Sequence, residues 1–392
     1  MKDLAGIGSP KDGGIWRLAF TDADLEARTF VEGCLRETGA EIRIDPLGNL
    51  FGIVETGRPG PVVMSGSHTD TVADGGRFDG SLGVMAAIEA ADAISSGKGC
   101  GTFIAVDFVN EEGVRFMPDM MGSLFFTGRL EIGEVRSIRD AAGTSIGEEL
   151  NRLGYAGTDS MSDLRPDFFI ELHIEQGPIL ETTDHTIGVV TGVQGLKWFE
   201  ITCSGTSNHA GTTPMQNRRD AVRAASRLMD HLHQLPDEMD GVRLTVGSVH
   251  ARPNLINVIA ERCVFTVDVR HPNPEVLSDA ERHIRARVRA AEAESGCDIS
   301  IRALADAEPV EFDRRVVEAV ARTADESGFP ARRMISGAGH DAQILNSVCP
   351  SGMIFIPSRG GISHSPDEFS TDDDLVAGAN VLLGSILALM DG

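Results

Sequence analysis

Three side chains in the glycine-rich stretch at residues 65–83, SGSHTDTVADGGRFDGSLG, have the chemistry to bind metal ions. His68 offers a ring nitrogen of the kind that zinc and similar divalent ions prefer. In a strand, side chains two residues apart lie on one face, so the carboxylate of Asp70 could hold the other ring nitrogen of His68. Asp79 could bridge two ions, although capping the following helix is an ordinary alternative role for an aspartate.

The sequence around this stretch predicts the elements that must position it. An apolar run at residues 61–64 is typical of a buried strand, and the spacing of Leu82, Met85, Ala86 and Ile88 predicts a helix. A glycine-rich turn between a strand and a helix is where α/β enzymes place their chemistry. The candidate ligands therefore lie where such a fold supports a site.

A second buried strand is predicted at residues 102–109, and it leads directly into the sequence NEEG at 110–113. Glu111 and Glu112 would lie at the carboxyl end of this strand, where open α/β sheets bind ligands. Adjacent carboxylates in different environments can have different pKa values, so one glutamate could bind metal while the other acts as a general base. A solvated acidic loop is the alternative.

A third strand is predicted from residue 168 onwards. Alternation places Glu171, His173 and Glu175 on the face opposite to Leu172. His173 is therefore a second candidate ligand, and Gln176 is a polar contact close to it. A polar strand face turned to solvent is the alternative.

Two polar loops near the C-terminus add further histidines. The sequence GAGHD at 337–341 contains His340. The sequence SRGGISHSPDE at 358–368 follows a predicted buried strand at 352–357 and contains His364. The loop at 358–368 is therefore a candidate to complete, through His364, a metal site that begins at residue 68.

The order of predicted elements changes between residues 195 and 309. This segment predicts β-α-β-β-α-β, the order of the split βαβ or ferredoxin-like unit. Because strands at both ends keep its termini close, we expect it to be inserted into the first domain. The predicted fold class is α/β: a doubly wound mixed-sheet catalytic domain at 1–194 and 310–392, with an inserted α+β domain at 195–309.

The composition excludes several classes of function. The 392 residues carry a net charge of −24 at pH 7, whereas nucleic-acid binding needs a basic face. We expect no membrane span, because no apolar run of about 18 residues is present, and no signal peptide. The six cysteines are scattered without a CxxC pair, which is typical of reduced thiols. We therefore expect a cytoplasmic protein that contacts neither nucleic acid nor membranes.

Several motifs together resemble those of the hydantoinase/carbamoylase family of metal-dependent amidases. They are GSHTDT at 66–71, GGRFDGSLG at 75–83, NEEG at 110–113, ELHIEQG at 171–177, NHAGTTP at 208–214 and GISHSP at 361–366. The match runs in order from about residue 45 to 392. The family includes N-carbamoyl-L-amino-acid hydrolase, bacterial-type β-ureidopropionase, allantoate amidohydrolase and ureidoglycolate amidohydrolase. Its fold is similar to that of the di-zinc aminoacylases and carboxypeptidases.

The resemblance implies a site with two divalent metal ions per subunit. Zinc suits a set of three histidines and two carboxylates, and manganese, cobalt or nickel could replace it. Glu111 would be the general base and Asp70 would orient His68. The implied ligands are His68, Asp79, Glu112, His173 and His364.

The resemblance also implies contacts with the substrate. His209 would stabilise the oxyanion, Asn257 would hydrogen-bond the substrate, and Arg270 would clamp its carboxylate. Strand alternation independently places Arg270 on the polar face of its strand, although a surface arginine at a strand end is the alternative. Further expected contacts are Gln176, His340 and Arg359.

The resemblance further implies a homodimer with a small anionic amide as substrate. The inserted domains would pair through a two-fold contact, act as lids, and bring His209 of one subunit into the other subunit's site. The expected reaction is hydrolysis of a linear C–N amide, most simply the carbamoyl group of an N-carbamoyl-L-amino acid or a related ureide. Hydrolysis of allantoate or ureidoglycolate and deacylation of an N-acyl-amino acid stay open, as does an inactive relative that uses the site for binding.

Overall fold

The computed structural model describes residues 1–9, 14–161 and 163–391. These residues form two compact units. The first unit is discontinuous in sequence and contains Met1–Gly192 and Glu311–Gly392, whereas the second is the continuous segment Val193–Val310.

The helices and strands are numbered along the chain. The strands are β1 (Glu41–Ile44), β2 (Leu50–Glu55), β3 (Val62–His68), β4 (Thr102–Phe108), β5 (Phe168–Ile174), β6 (Ile187–Val193), β7 (Gly195–Ser204), β8 (Arg243–Arg252), β9 (Arg262–His271), β10 (Asp298–Ala307), β11 (Val310–Glu311), β12 (Ala331–Ser336) and β13 (Ser351–Ile356). The helices are α1 (Lys2–Gly6), α2 (Asp22–Glu37), α3 (Ser81–Ser95), α4 (Met121–Phe126), α5 (Ile132–Ser137), α6 (Ile146–Leu153), α7 (Ile179–Thr182), α8 (Ala221–His233), α9 (Leu235–Glu238), α10 (Pro274–Ser295), α11 (Arg314–Glu326), α12 (Asp341–Leu345) and α13 (Asp372–Asp391). Short 3₁₀ turns lie at Met215–Asn217 and Arg359–Gly361.

A mixed sheet forms the centre of the first unit, with the strand order β1-β2-β4-β3-β5-β13-β6-β11 and β12 beside β6. The strands β4, β3, β5 and β13 run parallel to one another. The pairs β1–β2, β2–β4 and β6–β13 are antiparallel. The carboxyl ends of β3, β4 and β5 therefore meet at one edge of the sheet, which is where the candidate ligands follow these strands.

The central strands of this sheet are buried on both faces. After its first residue, each of β4 and β5 is buried at every position, and all of β13 is buried. Alternate residues of a strand point to opposite faces, so both faces must be covered. The structure thus confirms the predicted α/β class with a mixed sheet.

The second unit has a four-stranded antiparallel sheet in the order β10-β7-β9-β8. The helices α8 and α10 pack on one face of it, because α8 buries Leu228 and Leu232 and α10 buries Leu277 and Ile284 in a single core with the strands. Along the chain the main elements follow the order β-α-β-β-α-β that the sequence predicts. The strand β8 lies at one edge of this sheet.

The C-terminal helix α13 is one element that the sequence analysis did not predict. It is long and apolar enough to cross a membrane by length and composition alone, a test that core helices of globular proteins also pass. Its buried residues, among them Val381, Leu382 and Ile386, pack in the first unit. We therefore assign α13 to the core of that unit, where it covers the sheet.

Candidate metal centre

His68 is the last residue of β3, and Asp79 lies two residues before α3. The strand therefore continues four residues beyond the apolar run that predicted it. The N-cap of α3 is Gly80, and no side chain caps the helix, so Asp79 does not have the alternative role of a cap. Gly80 has a φ of 61°, and a Cβ atom at this position would overlap the imidazole of His68. Only glycine permits this close approach.

The carboxylate of Asp79 lies at the centre of the cluster. Its Oδ1 is 3.1 Å from Nε2 of His173 and 3.9 Å from Nε2 of His68. Its Oδ2 is 3.2 Å from Nε2 of His364, which in turn is 3.6 Å from Oε2 of Glu112. The described residues form three groups of candidate ligands. Asp79 belongs to two of them, His68–Asp79–His173 and Asp79–Glu112–His364, and the third is Glu171–His173–His340. Asp79 uses a different oxygen in each of its two groups, so its carboxylate joins them.

Backbone carbonyls fix the orientation of two of these histidines. Nδ1 of His68 is 2.9 Å from the carbonyl oxygen of Asp70, and Nδ1 of His173 is 3.0 Å from that of Ile174. A carbonyl only accepts, so each Nδ1 carries the proton and each Nε2 faces the cluster. Burial lowers the pKa of His68 to about 4, which keeps it in the neutral form that binds metal.

The orientation of His68 corrects the expectation for Asp70. The Asp70 carboxylate is 3.9 Å from Nδ1, too far for a hydrogen bond, and the carbonyl of the same residue holds the ring instead. The carboxylate accepts the backbone N–H groups of Glu111 and Glu112 at 3.1 and 3.2 Å. Asp70 therefore joins the loop after β3 to the loop after β4, and it orients His68 through its main chain.

Glu111 and Glu112 lie side by side at the cluster. Oε2 of Glu111 is 3.4 Å from Nε2 of His68. Burial raises the pKa of both glutamates well above the usual range, and repulsion from neighbouring carboxylates raises it further. For Asp79, burial opposes ionisation, but hydrogen bonds with His173 and His364 hold its pKa well below the usual range. The negative charges of these buried carboxylates need compensation. Carboxylate oxygens and histidine nitrogens together form a donor set that fits divalent cations.

This cluster lacks the usual counter-ions of buried carboxylates. Across residues 1–9, 14–161 and 163–391, no lysine or arginine forms an ion pair with Asp79, Glu111 or Glu112, and only histidines approach them. Buried charges are normally paired or bound to metal. The residues present therefore fit a divalent metal centre.

Glu368 and Ser363 also belong to the centre, although the sequence analysis missed both. The buried carboxylate of Glu368 accepts the backbone N–H groups of Phe78 at 2.8 Å and Asp79 at 3.2 Å. Oγ of Ser363 is 2.9 Å from Oε2 of Glu368 and 3.0 Å from Oδ2 of Asp79. Both residues lie in the loop at 358–368 that contains His364, but nothing in their spacing distinguishes them from ordinary loop residues.

Arg17 is a further residue that the sequence analysis missed. Its fully buried guanidinium donates to the carbonyl of Thr69 at 2.6 Å and to Oγ of Ser81 at 2.9 Å, and therefore holds both ends of the ligand loop. It also donates to the carbonyls of Leu4 at 3.0 Å and Ile7 at 3.1 Å. The N-terminal residues are thus part of the support of the site.

The polar face of β5 is buried and does not face solvent. Glu171 accepts from Oγ of Ser67 at 2.7 Å and from the N–H of Ala342 at 2.9 Å. The ring of His340 lies 4.6 Å from that of His173, and its Nε2 is 2.9 Å from Oγ of Ser336. His340 is 2% exposed, and together with Glu171 and His173 it forms a further group of candidate ligands. The expected contact between His340 and the substrate stays a prediction.

Gln176 lies beside the candidate ligand Asp79, whereas Arg359 lies on the surface. Nε2 of Gln176 donates to Oδ2 of Asp79 at 2.8 Å, while its buried Oε1 has no partner in the part of the chain that the structure describes. An unpaired buried acceptor beside the ligands fits a donor group of a bound molecule. Arg359 is exposed, and its guanidinium carbon lies 4.0 Å from the ring centroid of Phe369.

The remaining predicted residues belong to the second unit. His209 is exposed, and its Nδ1 accepts the backbone N–H of Gly211 at 3.0 Å, so Nε2 carries the proton of the neutral ring. The carbonyl of Asn257 accepts the N–H of Ala210 at 3.0 Å, which brings Asn257 beside His209. Arg270 is bound to Asp268, with Nη2 2.7 Å from Oδ2.

The comparison with known proteins agrees with this geometry. Residues 64–388 match peptidase family M20/M25/M40. The allantoate amidohydrolase of Bacillus subtilis is 38% identical over 385 residues, covering 97% of this chain and 93% of that protein. The N-carbamoyl-L-amino acid amidohydrolase of Geobacillus stearothermophilus is 36% identical over 400 residues, covering 100% of this chain and 97% of that protein.

A solved structure gives the same result for the fold. The amidase of the hydantoinase/carbamoylase family from Burkholderia multivorans superposes with a TM-score of 0.94 at 40% sequence identity, covering 100% of this chain and 96% of that one. The resemblance that the motifs carry is therefore confirmed. The chain belongs to peptidase family M20/M25/M40, in which these amidases are its relatives.

Proposed function

We propose that this protein is a metal-dependent amidohydrolase that cleaves a linear C–N amide, most simply the carbamoyl group of an N-carbamoyl-L-amino acid or a related ureide. The observation that carries the proposal is the carboxylate of Asp79, which is shared by two candidate ligand groups and lies beside the Glu111–Glu112 pair. Two of the relatives are named for reactions of this kind.

The proposed centre holds two divalent ions, one at His68, Asp79 and His173 and the other at Asp79, Glu112 and His364. Zinc suits this set, and manganese, cobalt or nickel could replace it. When bound, two such ions polarise the scissile carbonyl and acidify the attacking water. Glu368 and Arg17 hold the loop that carries Asp79.

Glu111 is the proposed general base. It accepts a proton from the attacking water as the water oxygen bonds to the carbonyl carbon, and it delivers that proton to the leaving nitrogen as the C–N bond breaks. Its pKa is raised by burial and by the neighbouring Glu112, which moves it toward the range in which a carboxylate both accepts and donates near neutral pH.

The second unit would supply the substrate contacts. The Nε2–H of His209 is a donor suited to a developing oxyanion, and Asn257 lies beside it. Arg270 would bind the substrate carboxylate, with Asp268 holding its guanidinium in place. Gln176 would offer its unpaired Oε1 to an N–H group of the substrate.

We further propose a homodimer in which the second unit serves as lid and dimer contact, with His209 acting in the other subunit's site. Within that unit, β8 is an edge strand, and the exposed Leu255 and Ile256 directly precede Asn257, which lies beside His209. Exposed edges and apolar side chains favour pairing with another chain. The six cysteines are free, in keeping with a cytoplasmic location.

Two related reactions and one inactive role are alternatives. Hydrolysis of allantoate or ureidoglycolate would use the same protein side chains. Deacylation of an N-acyl-amino acid would differ only in the acyl group that is removed from the substrate. An inactive relative would be expected to lack Glu111 or a metal ligand, and all of these are present.

The test is to identify the products that the metal-loaded protein forms from N-carbamoyl-L-methionine, allantoate, ureidoglycolate and N-acetyl-L-methionine. Release of ammonia and carbon dioxide marks cleavage of a carbamoyl group or ureide, whereas acetate marks deacylation. Glu111→Gln is the matched control, since it should bind metal and form no product. A fully loaded protein that cleaves none of these amides would contradict the proposal.

A further inference from the structure

Two arginines of the first unit stack on one aromatic ring. The guanidinium carbon of Arg77 lies 5.5 Å from the ring centroid of Phe369 and 5.2 Å from that of Phe78, and the guanidinium carbon of Arg359 lies 4.0 Å from the centroid of Phe369. We propose that Arg77 and Arg359 form a subsite for a second carboxylate of the substrate, so that the enzyme favours dicarboxylic N-carbamoyl-amino acids. This inference rests on the proposed function and extends it to a substrate class.

The arginine pair is joined to the metal centre through short connections. Arg77 precedes the bridging Asp79 by two residues, so their Cα atoms are at most about 7 Å apart. Phe369 follows Glu368, whose carboxylate accepts the N–H of Asp79 at 3.2 Å. The carbonyl of Phe369 accepts the N–H of Arg359 at 2.8 Å. The pair is therefore built on the loops that hold the centre, within reach of an extended substrate.

The hydrogen-bonding edges of both guanidinium groups are available. Arg77 and Arg359 are exposed, and neither forms an ion pair with any residue in the described ranges. In the same unit, Arg115 and Arg152 are each paired with acidic side chains. Stacking on a ring uses the face of a guanidinium and leaves its in-plane N–H donors for a carboxylate. Two cations close to one ring and without an ion pair favour the binding of an anion.

The acidic groups near the pair limit where this anion binds. A cavity of about 260 Å³ beside Arg359 also has Glu181, Asp184 and Asp374 in its wall. Glu181 accepts the N–H of Gly360 at 2.7 Å and does not pair with the arginine. These carboxylates repel an anion from the cavity itself. The second carboxylate therefore binds where both guanidinium groups act on it together.

The first experiment compares two substrates of nearly equal size, N-carbamoyl-L-glutamate and N-carbamoyl-L-glutamine. We expect kcat/KM to favour the glutamate compound, and Arg77→Ala and Arg359→Ala each to reduce this preference about tenfold, with a larger loss in the double variant. Arg77→Lys should retain part of it, because the charge remains but the fork is lost. Arg129→Ala, at another exposed arginine of the unit, is the control and should leave the preference unchanged. Equal losses for both substrates would overturn the proposal.

The second experiment separates the subsite from the catalytic proposal by measuring binding without turnover. Calorimetry on the metal-loaded protein should show that glutarate binds more tightly than pentanoate and that the double variant abolishes the difference. This result in a protein that hydrolyses no carbamoyl compound would refute the proposed function and keep the subsite. Equal binding of the two acids, or tighter binding of inorganic phosphate without any selectivity between the two substrates, would overturn the subsite.

Discussion

The candidate metal centre of the first unit and the proposed substrate-contact region of the second unit differ in how completely each is built. His68, Asp79 and His173 are at most 5% exposed, and each is held by hydrogen bonds from its own unit. His209 and Asn257 are exposed on the surface of theirs. The side chains of the first region are held in place by their own unit, whereas those of the second region are exposed. This difference suggests that metal binding and substrate binding can be disrupted separately.

The largest expected effect comes from Asp79, since one carboxylate serves both ligand groups. Asp79→Ala should remove bound metal and reduce activity to background together. Metal content measured by inductively coupled plasma mass spectrometry, beside activity on the best substrate, tests this expectation. Ser96→Ala at the end of α3 is a suitable control for handling and loading. Retention of two full equivalents of metal in Asp79→Ala would show that the ligand set is wrong.

The next largest effects should distinguish the roles of the two adjacent glutamates, Glu111 and Glu112. Glu111→Gln should keep its metal and lose about 10²–10⁴ in kcat, the usual contribution of general acid–base catalysis. Glu112→Gln should instead weaken metal affinity, which competition with a chromophoric chelator measures. If the two phenotypes are exchanged, the base and the ligand must be reassigned.

The dimer prediction concerns the exposed region directly. His209→Ala should lower kcat by about 10²–10³, as expected for one oxyanion donor, and leave metal content intact. Mixed dimers of Glu111→Gln and His209→Ala subunits should then regain activity toward half the wild-type value per dimer, because one site of each mixed dimer has both groups intact. Mass spectrometry of intact dimers confirms subunit exchange. No recovery after exchange would place His209 in its own chain's site or outside catalysis.

The smallest expected effect concerns Arg270. Arg270→Lys should cost about 2–4 kcal/mol in kcat/KM, since lysine lacks the bidentate fork and leaves Asp268 poorly paired. The readout is kcat/KM for a carboxylated substrate and for its amide. Equal losses on both would show that Arg270 does not bind the carboxylate.

The sequence predicted most of what depends on spacing and alternation. The strands that carry His68, Glu111 and His173 lie where the apolar runs predicted them, and their carboxyl ends meet at one edge of the sheet. The β-α-β-β-α-β order was also predictable, because its strands alternate in burial, as the pattern of β9 shows. Local pattern therefore predicted the strands that position the candidate ligands.

The rest depends on how distant loops meet. Glu368 reaches the N–H of Asp79 from a loop almost three hundred positions away, and Arg17 reaches Thr69 from the N-terminal segment. The choice between the carbonyl and the carboxylate of Asp70 depends on the path of the backbone. Spacing along the chain contains no information on any of these contacts. The helix α13 was missed because its small and apolar residues gave no single stripe that marks a surface helix.

Gly80 has a consequence for how this protein tolerates mutation. A side chain there would need a left-handed backbone and would also overlap the imidazole of His68. A saturation mutagenesis scan should therefore find Gly80 as intolerant as a metal ligand, even for alanine. The profile of fitness along this loop would then mark a position that contributes no ligand atom at all. In this loop, mutational sensitivity measures the space that the ligands require as well as the chemistry that they perform.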